Sequence, residues 1–212
     1  MARIDEPETA GLAGDPGRLL ALSDGIFAIA MTLLVLDVAV PDDLGIRDFQ
    51  ESLRGLWPKV AAYGLSFTIL AAFWMDHRRI FLWVRQVDDA VLRVSLSGLG
   101  AIALLPFPTS LLAEYPARTV SVALYAGTIA VTNLLHLALF ALVWRRSRLQ
   151  HEPIGNHVGR AVVADLVISI VVFGASVGIA FVSPRAAMWS WALLLPVKVV
   201  MGRRAQTGAR TR

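Results

Sequence analysis

Few side chains in this sequence could carry a reaction, and each stands in a poor setting for one. Ser176 lies in Gly174-Ala175-Ser176-Val177-Gly178, which fits the G-x-S-x-G spacing of a hydrolase nucleophile. Such a serine is activated on a strand–turn–helix elbow, whereas this one sits mid-way along an apolar run. An intramembrane serine protease would need a histidine on a facing helix later in the chain, and no His follows His157. Gly174 and Gly178, four apart, read more simply as a small-residue face for helix packing. Asn133 and His136 are three apart in another apolar run, with Asp165 near the start of the next. They are too sparse for a metal site and suit hydrogen bonds between helices. His77, among Asp76, Arg78 and Arg79, fits a structural hydrogen bond better than a proton sensor. The absence of Cys excludes thiol catalysis, zinc–thiolate sites and iron–sulfur clusters. The reading is therefore non-enzymatic, with no catalytic residue, no resident metal and no organic cofactor.

The elements that hold these residues explain why they are so few. Of 212 residues, 56% are hydrophobic and 17% charged, and the mean hydropathy is +0.62. A soluble domain is closer to about 45–50% apolar and about 25% charged. Six stretches, about 18–40, 57–82, 90–112, 119–144, 158–182 and 186–202, approach the roughly 20 apolar residues that cross a bilayer. The sixth is short and contains Pro196. The chain thus reads as all-α and polytopic, with six transmembrane helices in one domain over 18–202. A polar N-terminal tail (1–17), without the apolar core of a signal peptide, and a basic C-terminal tail (203–212) flank it.

Charge sets the expected orientation. With both termini on one side, that side receives 15 of the 20 Lys and Arg residues, leaving Arg47, Arg54, Lys59, Arg118 and Arg185 on the other. The positive side is the cytoplasm, so both tails are expected there. The first outer loop is acidic, holding Asp37, Asp42, Asp43, Asp48 and Glu51 against Arg47. The net charge of +4 is thereby explained by topology, and nucleic acid is not an expected partner.

The first run, from Arg18 to Asp37, is the most informative. At about 100° per residue, Arg18, Leu22, Ile29, Leu33 and Leu36 fall on one stripe with Thr32 at its edge. Ser23 and Asp24 fall opposite, with Phe27 and Met31. A carboxylate is costly in lipid, so Ser23 and Asp24 should point into protein and find partners there. The stripe then either packs on a neighbour or lines a constriction.

These residues carry a family likeness. Arg18, Leu22-Ser23-Asp24-Gly25, Phe27-Ala28-Ile29-Ala30 and Thr32-Leu33-Leu34-Val35-Leu36-Asp37 resemble the first-helix signature of the prokaryotic transmembrane protein 175 family of lysosomal and bacterial potassium channels. Trp74, His77 and Phe81 resemble its Trp-x-x-His-x-x-x-Phe, and Leu105-Pro106-Phe107-Pro108-Thr109 with Glu114-Tyr115 is a third match. Leu22 stands where the signature has Phe, and Ser95 where relatives usually have Asn. The resemblance implies a homotetramer in a bacterial plasma membrane, with four first helices around a potassium pore. Carried over by position, Ile29, Leu33 and Leu36 form its hydrophobic constriction and Thr32 a hydroxyl layer. It also implies that Ser23 and Asp24 hold the helix by hydrogen bonds, with Arg18, Trp74 and His77 as candidate partners and Ser95 in the same network.

No Thr-Val-Gly-Tyr-Gly loop is present, so a carbonyl-lined filter is not expected. An apolar ring has no ligands and must act by size and dewetting, which favours potassium because it sheds water more cheaply than sodium. Asp37, Asp42 and Asp43 would concentrate cations at the outer mouth. A secondary transporter would instead show repeats or matching broken helices, and no 3+3 repeat is evident. A non-conducting structural subunit is the remaining alternative, and measured flux separates it.

Overall fold

The computed structural model describes residues 14–39, 45–146 and 149–192, for 46–48 and 192 by backbone only. Helix boundaries follow local chemistry. α1 (Pro16–Leu33) starts with proline in its first turn, where the missing N–H costs nothing, and Asp15 accepts a 2.8 Å hydrogen bond from Gly17 N. It tightens into a 3-10 turn, Leu34–Asp37. A short helix, α2 (Ile46–Gly55), precedes α3 (Trp57–Phe81), which has Pro58 in its first turn. Asp88 caps α4 (Asp89–Leu104) through Ala90 N and Val91 N at 3.1 and 2.9 Å. Then follow α5 (Pro106–Glu114), α6 (Thr119–Arg145), α7 (Asn156–Val182) and α8 (Pro184–Ala192).

Among the described residues five segments are long and apolar enough to cross a membrane: Pro16–Asp37, Phe49–Phe81, Asp89–Glu114, Thr119–Arg145 and Asn156–Val182. The fold is all-helical and multi-pass, with these spans falling on the first five expected runs. α8 opens the sixth run, whose remainder from 193, including Pro196, lies outside the described residues. So do most of the N-terminal tail, all of the basic C-terminal tail, and Asp42 and Asp43.

Two expectations are corrected. The first outer loop contains a helix, α2, because Phe49 and Leu53 at i, i+4 supply an apolar side to a segment read as merely acidic. The third run is not one helix. It breaks between Leu104 and Pro106, since Pro106 has no N–H to give the preceding turn. Leu105 N bonds Ile102 O at 3.1 Å instead, and Thr109 Oγ1 lies 2.9 Å from the Leu105 carbonyl.

α6 forms the spine, packing most extensively on α7 and then on α4, while α1 lies against α4 and α3. Around Tyr125 and Ile129 of α6 gather Phe27, Leu70, Phe73, Leu99, Ile102 and Trp191 in one apolar cluster. A second surrounds Phe140 and Val143 near the basic end. Polar ties cross the first cluster: Ser66 Oγ lies 2.9 Å from Tyr125 Oη and 3.0 Å from Thr109 Oγ1, and Trp191 Nε1 donates to Ser176 Oγ at 2.9 Å. At the basic end the α3–α4 and α6–α7 connections clamp each other. Arg85 N donates to Leu149 O, His151 N to Trp83 O, and Arg146 meets Asp88 at 2.7 Å.

Among the described residues, 22–44% of the most apolar 18-residue window of each span is buried inside the chain, and the rest is partly or wholly exposed.

Candidate functional site

α1 has two chemically distinct faces. Leu19, Ser23, Phe27 and Ala30 are buried on the side of α1 that packs on α3 and α4, and Leu34 is buried where the 3-10 turn meets α3 and α5. On the opposite side Ile29, Leu33 and Leu36 are 60%, 41% and 69% exposed, with Leu22 and Thr32 also outward. Thr32 Oγ1 donates to the Ile29 carbonyl at 2.9 Å, so its hydroxyl proton is held along the helix while its oxygen stays accessible. Among the described residues the stripe is left largely uncovered.

The buried face is pinned by two hydrogen bonds to α3. Ser23 Oγ donates to Leu19 O at 2.8 Å and lies 2.9 Å from His77 Nε2, an arrangement satisfied by the tautomer with its proton on Nε2. Trp74 Nε1 donates to Asp24 Oδ1 at 2.7 Å, a charge-assisted length. Three residues apart on α3, Trp74 and His77 share a helix face, as Ser23 and Asp24 do in sequence on α1. The Arg78 guanidinium lies 5.0 Å from the Trp74 ring centroid, within cation–π range. His77 packs among Phe81, Phe27 and His136, with ring centroids 4.7, 5.8 and 5.6 Å away. α1 therefore has its rotation set by one hydroxyl and one carboxylate, which forces the Ile29–Leu33–Leu36 stripe outward.

The other sequence candidates fall elsewhere. Arg18 stands exposed on the first turn of α1. Ser95 is buried on α4 with no hydrogen-bond partner for its hydroxyl among the described residues, so it does not join the Ser23–His77 pair. Asp37, at the opposite end of α1, is half-buried and accepts from Ser110 Oγ at 3.1 Å. Asn133 Nδ2 and His136 Nδ1 bond back to Ile129 O and Thr132 O of their own helix, each at 2.9 Å. Among the described residues no group of three His, Asp or Glu side chains converges as metal ligands. Ser176 ties Trp191 to Phe173 O and has no histidine beside it in these bonds.

The small-residue face read at Gly174 and Gly178 meets no other helix among the described residues. Both are exposed, and a Cβ on either would meet nothing within 4 Å. The glycine that packing does require is Gly159, where a Cβ would collide with the Trp144 indole. Sequence reasoning also missed Tyr125 with Ser66 and Thr109, and Ser110 beside Asp37. A tyrosine in the middle of an apolar run was the signal for the first, since a buried hydroxyl needs a partner.

Comparison with known proteins bears on this arrangement. A family model described as endosomal/lysosomal potassium channel TMEM175 matches residues 18–106, the span that includes the α1 stripe and its α3 anchors. A Streptomyces collinus protein named as a potassium channel is 35% identical over 85% of this chain and 89% of its own. A Danio rerio protein named as the endosomal/lysosomal proton channel TMEM175 is 29% identical over 56% of this chain but only 23% of its own. The crystal structure of a lysosomal potassium-selective channel TMEM175 homolog from Chamaesiphon minutus superposes with a TM-score of 0.74. It is 28% identical and covers 89% of this chain and 97% of that one.

Proposed function

The chain belongs to the TMEM175 family, and from that premise we propose that it is a potassium channel whose path is lined by α1 of four identical subunits. Its family and structural neighbours are ion channels rather than enzymes. The observation that carries the pore reading is the outward stripe of Ile29, Leu33 and Leu36 on a helix whose other face is held by hydrogen bonds. One copy of α1 encloses nothing, whereas four around an axis make stacked apolar rings.

In this reading 18–202 is the channel domain, both tails are cytoplasmic, and the membrane is a bacterial plasma membrane. Charge segregation supports the orientation: Arg78, Arg79, Arg85, Arg93, Arg145, Arg146 and Arg160 gather at the end where α1 begins. Asp37, with Asp42 and Asp43, raises the local cation concentration at the outer mouth. Ions then reach rings with no ligands, where passage requires shedding water, and potassium does so more cheaply than sodium. Thr32, between Ile29 and Leu33, offers the only hydroxyl at that depth of α1. Selectivity is correspondingly modest. No cofactor takes part, and potassium is the permeant ion.

Purified protein in liposomes under a potassium gradient tests this, with potassium, sodium and proton fluxes compared. Potassium flux should exceed that of empty liposomes, and Ile29→Asn or Leu33→Asn should raise conductance while lowering the potassium-to-sodium ratio. If both variants matched the parent in conductance and ratio, the constriction would lie elsewhere. Flux equal to empty liposomes would remove the channel reading itself.

A further inference from the structure

α2 (Ile46–Gly55) runs into α3 but is not needed for the crossing. α3 alone, 25 residues at 1.5 Å each, is about 38 Å long and exceeds the roughly 30 Å of hydrocarbon. α2 therefore lies at or beyond the hydrocarbon edge, on the Asp37 side. Its side chains are sorted by chemistry. Phe49 and Leu53, four apart, continue into Trp57 at the head of α3, while Gln50, Glu51 and Arg54 fall to one side of that arc. Phe49, Leu53 and Trp57 are all exposed, Trp57 to 73%, so the apolar arc is presented outward rather than folded onto the bundle.

We propose that α2 is an interfacial helix. It lies along the bilayer surface with Phe49, Leu53 and Trp57 sunk at the boundary between headgroups and acyl chains, and with Gln50, Glu51 and Arg54 in water. Three observations select lipid as the occupant of this arc. The arc continues without interruption into exposed Val60 and Phe67 of α3, the surface that a spanning helix turns to lipid. Trp57 shares its end of the bundle with exposed Tyr115, which closes α5, and Trp and Tyr concentrate at this level in membrane proteins. The helix sequence carries two acids and two bases, Asp48 and Glu51 with Arg47 and Arg54, and so no net charge, and apolar insertion rather than charge attraction holds it down. Lying there, α2 fixes the depth at which α3 enters the bilayer, and α3 holds the anchors of α1.

The chain has no native cysteine, so single nitroxide labels report cleanly on each position. Full-length Phe49→Cys, Gln50→Cys, Leu53→Cys and Arg54→Cys proteins would be labelled and reconstituted in phosphatidylcholine vesicles. Collision with oxygen, which partitions into lipid, is compared with collision with a water-soluble nickel chelate. The oxygen-to-nickel ratio should be at least about threefold higher at 49 and 53 than at 50 and 54, following the helical period. Equal nickel access at all four sites would show a helix free in water, and shielding of 49 and 53 from both reagents would show a second protein surface; either overturns the proposal. Independently, lipids brominated near the headgroup should quench the parent's fluorescence more than that of Trp57→Phe. Equal quenching would count against the proposal even if a label disturbed its site.

Discussion

A carboxylate and a hydroxyl inside a membrane helix must be partnered, and here the partners decide which way the helix faces. Trp74→Phe removes the donor to Asp24, a hydrogen bond to a charged group that contributes about 1.5–3 kcal/mol in a sheltered site. The variant should unfold at a lower temperature in detergent and lose potassium flux, because α1 can then rotate about its axis. His77→Gln tests a different point. His77 is buried in an aromatic setting and bonded to Ser23, contacts that support the structural role we propose for it. Recordings at varied cytoplasmic pH should give parent and variant curves of the same shape, with the variant lower throughout; a flattened curve would make His77 a sensor. Ser23 and Asp24 were legible in the sequence because charge and polarity are expensive in lipid. That Ser95 stands apart from them was not legible, since its helix, α4, meets α1 only in the folded chain.

At the level of elements, the same spacing rule succeeds in one place and fails in another. Gly174 and Gly178 have the small-residue spacing, yet among the described residues no helix lies against them, whereas isolated Gly159 sits under Trp144 where α6 meets α7. Gly159→Ala should therefore destabilise by about 1–3 kcal/mol, the usual cost of overpacking, while Gly174→Ala changes thermal stability little. The α4 N-terminus offers a second test. The Val91 N–H, then the Arg146 guanidinium and the Ala90 N–H, hold the Asp88 carboxyl below its ordinary 3.8, against the opposing effect of burial. A depressed carboxyl contributes stability above its unfolded value and loses it as pH falls through the folded one. Asp88→Ala should cost about 0.5–2 kcal/mol near neutral pH, and the gap from the parent should close as pH drops below about 4.

For the whole molecule, the proportions buried within the chain are too small for a helical bundle standing alone in water. With 22–44% of the most apolar window of each span buried, the remaining surface suits lipid and, in the proposed assembly, neighbouring copies. Light scattering in mild detergent, corrected for bound detergent, should give a protein mass about four times 23.0 kDa. A monomer would leave Ile29, Leu33 and Leu36 facing lipid and would exclude a pore made from α1. Cross-linking from Leu36→Cys offers a second reading of the same question. In the proposed tetramer four such residues ring one axis, so dimers should form readily under oxidation, while Val171→Cys on α7 should stay monomeric.

Composition and hydropathy sufficed for an all-helical membrane protein, its first five spans and the two faces of α1. These features depend on transfer from water to hydrocarbon, a cost that each residue carries independently of its distant neighbours. The α2 helix lay in a segment whose acidic residues obscured an i, i+4 apolar pair. The break at Pro106 was visible as a proline but not as a helix end, because proline is tolerated within membrane helices when nearby groups satisfy the freed carbonyl. Tertiary structure alone decided that Trp74 meets Asp24, that His77 meets Ser23, and that Gly159 rather than Gly174 is the close approach. Each depends on which residues some fifty positions apart, or on facing helices, come within about 3–4 Å, and a hydrogen bond or a steric clash exists only at that range.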